Sequence, residues 1–140
     1  LEQSLKKLTR QLHIEDKVHF VGFQKNPYVF FKHADMFVLT SLNEGFGHVF
    51  VEAMATRTPI VSTRCNPGAE EVLDDGVYGK IANVGDVEDV TEKMLAVLQQ
   101  NDEEKKKMVQ KGYERAKQFN VSTIITQYEE LFMETINSRK

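Results

Sequence analysis

The chain has 140 residues, of which 41% are hydrophobic and 28% are charged, and its formal net charge at pH 7 is −3. These values are typical of one globular domain spanning 1–140, and they give no electrostatic reason to expect binding to nucleic acid or to an anionic membrane. No apolar run reaches the about 20 residues of a membrane-spanning helix, and the only cysteine, Cys65, cannot form an internal disulfide, so we expect a cytoplasmic protein without a transmembrane segment.

The first third of the chain alternates between helical and extended patterns. Leucines at helical spacing predict an amphipathic helix over 1–13, and the lack of an initiator methionine or cap at Leu1 is typical of a piece of a longer protein. A strand that ends in a turn is predicted over 17–23, and a short helix over 26–34. The compact apolar run over 35–41 is typical of a buried parallel strand.

The middle of the chain continues this alternation. A glycine-rich bend at 45–47 leads into a helix that we expect to end near Thr56. A buried strand is predicted over 58–63, and a loop with one helical turn over 66–76. A fourth strand is predicted over 76–82.

The last part of the chain has a helical pattern throughout. The sequence Asp-Val-Glu-Asp over 86–89 resembles a capping box, and two further helices are expected over 102–118 and 121–137. Strands separated by helices, without hairpin signals, predict an α/β fold. We expect a parallel sheet of about four strands with helices on both faces over 1–100, followed by C-terminal helices over 101–140.

Ligands of parallel α/β sheets bind outside the carboxyl ends of the strands. These ends follow Val21, Leu39, Val61 and Ile81 in the predicted sheet. The segment after Leu39 contains "NEGFGHVFVEA", in which two glutamates lie eight positions apart around the glycine bend. This segment is therefore the first candidate for a ligand site.

Glu44 allows two interpretations. Ser41 and Glu44 have the spacing of a capping box, which would make Glu44 a structural acid at a helix start. However, Gly45 and Gly47 follow at once, and glycine costs about 1 kcal/mol relative to alanine in a helix interior. Glycines are better explained by a sharp bend or a close approach to a ligand. The helix would then begin near Gly47 or His48, with free N–H groups suited to a phosphate.

Glu52 has apolar neighbours along most of the helix perimeter, so its carboxylate requires hydrogen-bonding partners. Ribose hydroxyls would be suitable donors, and a nearby backbone N–H or lysine would be the structural alternative. The residues alone leave a ligand site and a pair of structural acids nearly balanced.

Other common sites are not indicated. The bend lacks the third glycine of a dinucleotide fingerprint, and no Walker sequence is present. His48 could donate a hydrogen bond to a phosphate or sugar oxygen, although a surface histidine is the plainer interpretation. Cys65 has no histidine placed beside it by sequence, which favours a bystander thiol. No metal site is expected, because no spacing suggests one among the acids and the four histidines, His13, His19, His33 and His48.

The combination of motifs resembles the carboxyl-terminal domain of group 1 (family 4) glycosyltransferases, which are retaining GT-B-fold enzymes that use nucleotide sugars. The matching features are two glutamates with seven residues between them, the Gly-Phe-Gly bend, "EAMA" and "TPIVST" after it, and "VHFVGF" and "ADMFVLTS" before it. The resemblance covers residues 1 to about 100. One departure is Arg57, where the family usually has glycine; we expect this to alter only the helix end.

The resemblance implies a role for each candidate residue. Glu44 would contact hydroxyls of the transferred sugar and stabilise positive charge at its anomeric carbon, and Glu52 would accept hydrogen bonds from the ribose. The bend would hold sugar and phosphate oxygens, chiefly through backbone N–H groups, and a turn would lie beside the base. The bend residues are Gly45, Phe46, Gly47 and His48, and the turn residues are Gly22, Phe23 and Gln24.

The resemblance also implies partners. The donor would be a nucleotide sugar, with UDP favoured by the "CNPG" loop, and the acceptor a glycan or lipid-linked sugar at the inner face of the cell membrane. No metal or other cofactor would be required. A basic pair and an amino-terminal domain would lie upstream, so the isolated chain is expected to be inactive, and the apolar face over 121–137 is expected to be exposed or to form a dimer contact. The alternatives are a non-catalytic sugar-nucleotide-binding module and another GT-B enzyme, such as a sugar-nucleotide epimerase.

Overall fold

The computed structural model describes residues 1–65 and 67–138. The elements in chain order are α1 (Glu2–Gln11), α2 (Tyr28–His33), β1 (Phe37–Leu39), α3 (His48–Ala55), β2 (Ile60–Thr63), α4 (Gly68–Leu73), a 3-10 turn (Asp74–Gly76), β3 (Lys80–Ala82), α5 (Val87–Leu98), α6 (Asp102–Lys117) and α7 (Val121–Asn137).

The three strands form a parallel sheet in the order β1-β2-β3, flanked by helices. In its register, Val38 pairs with Val61 and Ser62 pairs with Ile81. All four residues of β2 are buried, as expected for a central parallel strand. The predicted α/β class is therefore confirmed.

The prediction of a strand over 17–23 is wrong, so the sheet has three strands rather than about four. Within the described residues this segment forms no ladder, and Val21 and Phe23 are exposed. The physical reason is that a strand requires a hydrogen-bonding neighbour, and none of the three described strands pairs with this segment. Phe20 instead lies under the amino group of Lys6 in α1, 5.5 Å from the ring centroid.

The main core lies between one face of the sheet and the helices α3, α4 and α6. Its largest members are Phe50, Met54, Ile60 and Leu73, all of them fully or almost fully buried. Because side chains alternate along a strand, Val61 points away from this cluster, toward the opposite face, where α5 packs against β2 and β3. The core thus fixes the positions at which β1 and β2 end and their loops begin.

The helix ends match the sequence unevenly. The Asp86 side chain accepts the N–H of Asp89 at 2.9 Å, but the Asp89 carboxylate accepts the N–H of Asn83 at 2.8 Å and pairs with Lys93 at 3.1 Å. The predicted box at 86–89 is therefore only half formed. The reciprocal box lies at the start of α6, between Asn101 and Glu104.

The last helix, α7, has the predicted bounds, but its apolar face is exposed in this chain. Five apolar side chains on it are each more than half exposed: Val121, Ile125, Tyr128, Phe132 and Ile136. No helix in the described part of the chain is long and apolar enough to cross a membrane.

Candidate functional site

The glutamate bend, residues 43–48, connects β1 to α3 at the carboxyl edge of the sheet. Gly47 has the left-handed φ of 73° and caps α3, which begins at His48. The predicted helix start is therefore confirmed, and Ser41 does not cap a helix. Ser41 Oγ donates instead to the carboxylate of Glu44, with 2.7 Å between Oγ and Oε1.

Two glycines are required by the packing of this bend. A Cβ at Gly47 would lie 2.6 Å from the ring of Phe50, and a Cβ at Gly68 would lie 2.9 Å from the carbonyl oxygen of Phe46. The N–H of Gly68 also donates to the carbonyl of Glu44 at 3.1 Å. Gly45 has open space around it and no left-handed φ, so the fold of this chain does not require a glycine there.

Glu52 lies in the second turn of α3 and is half-buried. Its Oε1 atom is 3.5 Å from the hydroxyl of Tyr28 at the start of α2. No lysine or backbone N–H reaches the Glu52 carboxylate within the described residues. The structural interpretation of Glu52, which requires a lysine or a backbone N–H as its partner, is therefore not supported by the described residues. Both glutamates keep acceptor capacity for a ligand.

The other residues of the bend present backbone rather than side chains. The ring of Phe46 packs edge-on against His48 at 5.1 Å and against Phe119 at 5.3 Å. The N–H groups of Phe46, Gly47 and His48 donate no hydrogen bond within the described residues. These free donors lie at the amino end of α3, where a helix favours anions.

The turn at Gly22–Gln24 precedes α2. Gly22 has a φ of 60°, Gln24 donates from Nε2 to the carbonyl of Val21 at 2.6 Å, and Phe23 is 91% exposed. The part of the chain that the structure describes shows no hydrogen bond or ring contact between this turn and either glutamate. The contact of this region with Glu52 comes instead from Tyr28, at the start of α2.

Two residues near the glutamates escaped the sequence interpretation. Tyr28 is 47% exposed, and its ring packs edge-on against Phe31, which in turn packs against Phe37 of β1. Thr63 ends β2 and donates its hydroxyl to the carbonyl of Ser41 at 2.6 Å. A hydroxyl at a strand end was the only available signal for Thr63.

A cation and a cavity complete the carboxyl edge. Arg64 follows β2 and contacts the carboxylates of Glu70 and Asp75, each at 2.7 Å. The hydrogen bonds that Arg64 donates to Glu70 and then to Asp75 raise its pKa further, so its charge is permanent and already paired. A largely apolar cavity of about 420 Å³ lies between the loop after β1 and the start of α5.

Within the described residues, no group of three acids, histidines or cysteines could hold a metal ion.

Arg57, the departure from the family pattern, has a φ of 60° at the end of α3. The helix end thus has the left-handed geometry that glycine favours. That Arg57 alters only the helix end stays a prediction. Its guanidinium lies 4.1 Å from the ring centroid of Tyr113 in α6, a cation–π contact that offsets part of the strain.

Comparisons with known proteins agree with this arrangement. The family model for glycosyl transferases group 1 matches residues 1–115. The chain is 34% identical to the N-acetyl-alpha-D-glucosaminyl L-malate synthase of Bacillus anthracis, and the match covers 95% of this chain and 35% of that protein. It is 32% identical to the N-acetylgalactosamine-N,N'-diacetylbacillosaminyl-diphospho-undecaprenol 4-alpha-N-acetylgalactosaminyltransferase of Campylobacter jejuni, with 86% and 33% covered.

Solved structures give the same result. The crystal structure of the Anabaena protein HepE in complex with UDP and glucose matches with a TM-score of 0.83 and 27% identity, over 94% of this chain and 36% of that one. The chain thus spans about a third of the length of these relatives. On the family match, the relatives and the fold together, the chain belongs to the group 1 glycosyltransferases.

Proposed function

We propose that this chain is the donor-binding part of a retaining glycosyltransferase. The observation that carries the proposal is the pair of half-buried carboxylates, Glu44 and Glu52, on either side of the free amino end of α3. Each carboxylate has a single hydroxyl partner among the described residues, from Ser41 and Tyr28 respectively. Both glutamates therefore have oxygen atoms left to accept hydrogen bonds from a polyhydroxyl ligand.

The proposed donor is a nucleotide sugar, with its phosphates near the N–H groups of Phe46, Gly47 and His48. Fixed donors of this kind stabilise the negative charge that develops on a leaving diphosphate. Glu52 accepts hydrogen bonds from the ribose hydroxyls, and the exposed ring of Phe23 lies beside the base. UDP is favoured because HepE, a structural relative, is known in complex with UDP and glucose.

Glu44 is the proposed catalytic residue. Its carboxylate contacts hydroxyls of the transferred sugar and stabilises positive charge at the anomeric carbon as the bond to the diphosphate breaks. The transferred group is a hexosyl or N-acetylhexosaminyl unit, and the acceptor is a glycan or a lipid-linked sugar, as the names of the relatives suggest. The proposed site requires no metal.

The isolated 140-residue chain should not transfer sugar at a measurable rate. Its donors at the amino end of α3 would meet a leaving group that carries about two negative charges, and the charge of Arg64 is already paired. The basic residues and the acceptor site would come from the rest of a longer protein.

The proposed location is the cytoplasm, and the buried free thiol of Cys65 fits this location.

The apolar face of α7 is proposed to be covered in the longer protein, and a second copy is one way to cover it. A contiguous exposed face of several large apolar side chains is uncommon on monomeric proteins. Sedimentation of the 140-residue chain should then show self-association that rises with concentration. A strict monomer at high concentration would exclude the dimer.

The test of the proposed function is kinetic, with Glu44→Gln and Glu52→Gln in the full-length protein. Glu44→Gln should lower kcat by about 10² to 10³, because it removes a charge that acts in the transition state. Glu52→Gln should raise KM for the donor about tenfold with a smaller change in kcat, because it weakens a charge-assisted hydrogen bond. Glu130→Gln, on the exposed surface of α7, is the matched control and should leave both constants unchanged.

Full activity in both glutamate variants would show that the site is wrongly assigned. Binding of the nucleotide sugar without any transfer, in a full-length protein tested with several acceptors, would favour the non-catalytic module instead. Product analysis by NMR would show whether the anomeric configuration is retained, and inversion would contradict that part of the proposal.

A further inference from the structure

The hydroxyl and the carbonyl of Ser41 are both used in hydrogen bonds. Its hydroxyl donates to Glu44 Oε1 at 2.7 Å, and its carbonyl accepts the hydroxyl of Thr63 at 2.6 Å. Thr63 is the last residue of the central strand β2 and is 3% exposed. A hydrogen-bonded chain therefore runs from the carboxyl end of the central strand, through Ser41, to the carboxylate of Glu44.

The backbone and the side chain of Glu44 are fixed separately. The carbonyl of Glu44 accepts the N–H of Gly68, which holds the glutamate bend against the start of α4. This contact leaves the side-chain torsions of Glu44 free, and a free glutamate side chain loses rotamer entropy when it becomes ordered. Within the described residues, the hydroxyl of Ser41 is the one group that orders the carboxylate.

We propose that Ser41, itself held by Thr63, is a positioning residue for Glu44. The hydroxyl of Ser41 holds one carboxylate oxygen, so that the other oxygen faces the sugar. This inference rests on the proposed function of Glu44 and adds two residues to it. Ser41 and Thr63 act through Glu44 and do not contact the donor themselves.

A positioning role of Ser41 and a structural role of Ser41 predict different effects on stability and on rate. A structural serine would affect folding stability and would act alike whether or not Glu44 is present. A positioning serine changes the chemical step through Glu44 alone, because a small displacement of a reacting group can cost about 10² in rate.

The experiment compares Ser41→Ala, Ser41→Thr and Thr63→Val in the full-length protein, each with and without Glu44→Ala. Ser41→Ala should lower kcat about 10- to 100-fold while KM for the donor changes less than about threefold. Thr63→Val keeps the shape and removes the hydroxyl, and it should lower kcat about 3- to 10-fold because it acts one bond further away. Ser41→Thr restores the hydroxyl and should recover most of the activity lost in Ser41→Ala.

Two variants serve as matched controls. Ser4→Ala removes an exposed hydroxyl in α1, and Thr126→Val removes an exposed hydroxyl in α7; both hydroxyls bond only to carbonyls of their own helices or helix caps. Neither should change kcat. In the Glu44→Ala background, Ser41→Ala should cause no further loss of the residual activity.

Each outcome decides one question. If Glu44→Ala is inactive and Ser41→Ala keeps full kcat, the positioning role is wrong while the proposed function stands. The same holds if Ser41→Ala lowers the residual rate of Glu44→Ala as much as it lowers the wild-type rate. If Glu44→Ala is itself fully active, the proposed function fails. Should Ser41→Ala not fold, Thr63→Val must still lower kcat, and an unchanged rate would overturn the proposal.

Discussion

The glutamate bend (residues 43–48) and the amino-terminal segment (residues 14–26) both resemble parts of one nucleotide-sugar site, but they are held in very different ways. The bend is fixed by hydrogen bonds from Ser41 and Gly68 and by close packing of Gly47. The amino-terminal segment pairs with no strand in the described part of the chain, and its Phe23 is 91% exposed.

The difference shows which half of the candidate site this chain can build alone. The bend follows β1 and lies on α4, and its contacts come from residues of this chain, from Ser41 just before it to Phe119 after α6. Within the described residues, no strand pairs with the amino-terminal segment. We therefore expect the bend to keep its geometry in the isolated chain, and the turn at Gly22–Gln24, which is proposed to lie beside the base, to be less well fixed there.

The largest effect should come from the core beneath the bend. Phe50→Ala removes a fully buried ring from α3 and should lower the free energy of unfolding of this chain by about 3–5 kcal/mol. Phe23→Ala is the matched control, because its exposed ring should contribute little to stability. Urea denaturation measures both changes, and equal losses would contradict the contrast between the two regions.

A smaller loss is expected in Gly68→Ala. Alanine usually stabilises a helix relative to glycine by about 0.4–1 kcal/mol, but here its Cβ would lie 2.9 Å from the carbonyl of Phe46. The clash should dominate and lower the free energy of unfolding by about 1–3 kcal/mol. Gly45→Ala has open space and should be nearly neutral. If Gly68→Ala were the more stable of the two, the close packing of the bend would be wrong.

Substitutions of Arg57 should differ in the free energy of unfolding by about 1 kcal/mol. Arg57→Ala loses the contact with Tyr113 and keeps the strained left-handed φ, whereas Arg57→Gly loses the contact and relieves the strain. The glycine variant should therefore be more stable than the alanine variant by about 1 kcal/mol. Thermal unfolding of the two variants side by side gives this difference, and the reverse order would argue against a left-handed residue at the end of α3.

The smallest effect concerns the start of α5 at low pH. The N–H of Asn83, and then Lys93, hold the pKa of Asp89 below its ordinary value of 3.8. Because the folded-state pKa is the lower one, ionised Asp89 stabilises the folded chain above pH 3.8, and this contribution is lost as the pH falls below that value.

Melting temperatures measured from about pH 6 down to about pH 2.5 should show this loss in the wild-type chain, and Asp89→Asn should reduce it. Glu88→Gln is the exposed neighbour and should leave the acid dependence unchanged. An identical pH profile for wild type and Asp89→Asn would exclude the contribution.

Much of the sheet region was predictable from the sequence. The buried strand over Ile60–Thr63 and the start of α3 at His48 follow from compact apolar runs and from the glycines, which act locally. The bounds of α7 agree with the predicted 121–137, because its apolar period is clear and Asn120 caps it through a local hydrogen bond.

The incorrect or absent predictions concern residues whose hydrogen-bonding partners are distant in sequence, or for which the described residues supply no partner. The alternation over 17–23 has the pattern of a strand, but no strand among residues 1–65 and 67–138 pairs with it. Ser41 has the spacing of a helix cap, yet its hydroxyl bonds to the Glu44 side chain because Gly47 delays the helix to His48. The links from Thr63 to Ser41 and from Tyr28 to Glu52 connect residues 22 and 24 positions apart, and no local pattern indicates them.

The proposed site places Glu44 in the bend before α3 and Glu52 in the second turn of α3, and titration calorimetry on the full-length protein shows whether both glutamates bind a nucleotide sugar. With a UDP-sugar as ligand, and GDP- and ADP-sugars as comparisons, we expect Glu52→Gln to raise the dissociation constant about tenfold relative to wild type. The Glu130→Gln control should bind as wild type does. Undiminished binding of every nucleotide sugar that the wild type binds, in Glu52→Gln and in Glu44→Gln, would contradict the proposed site.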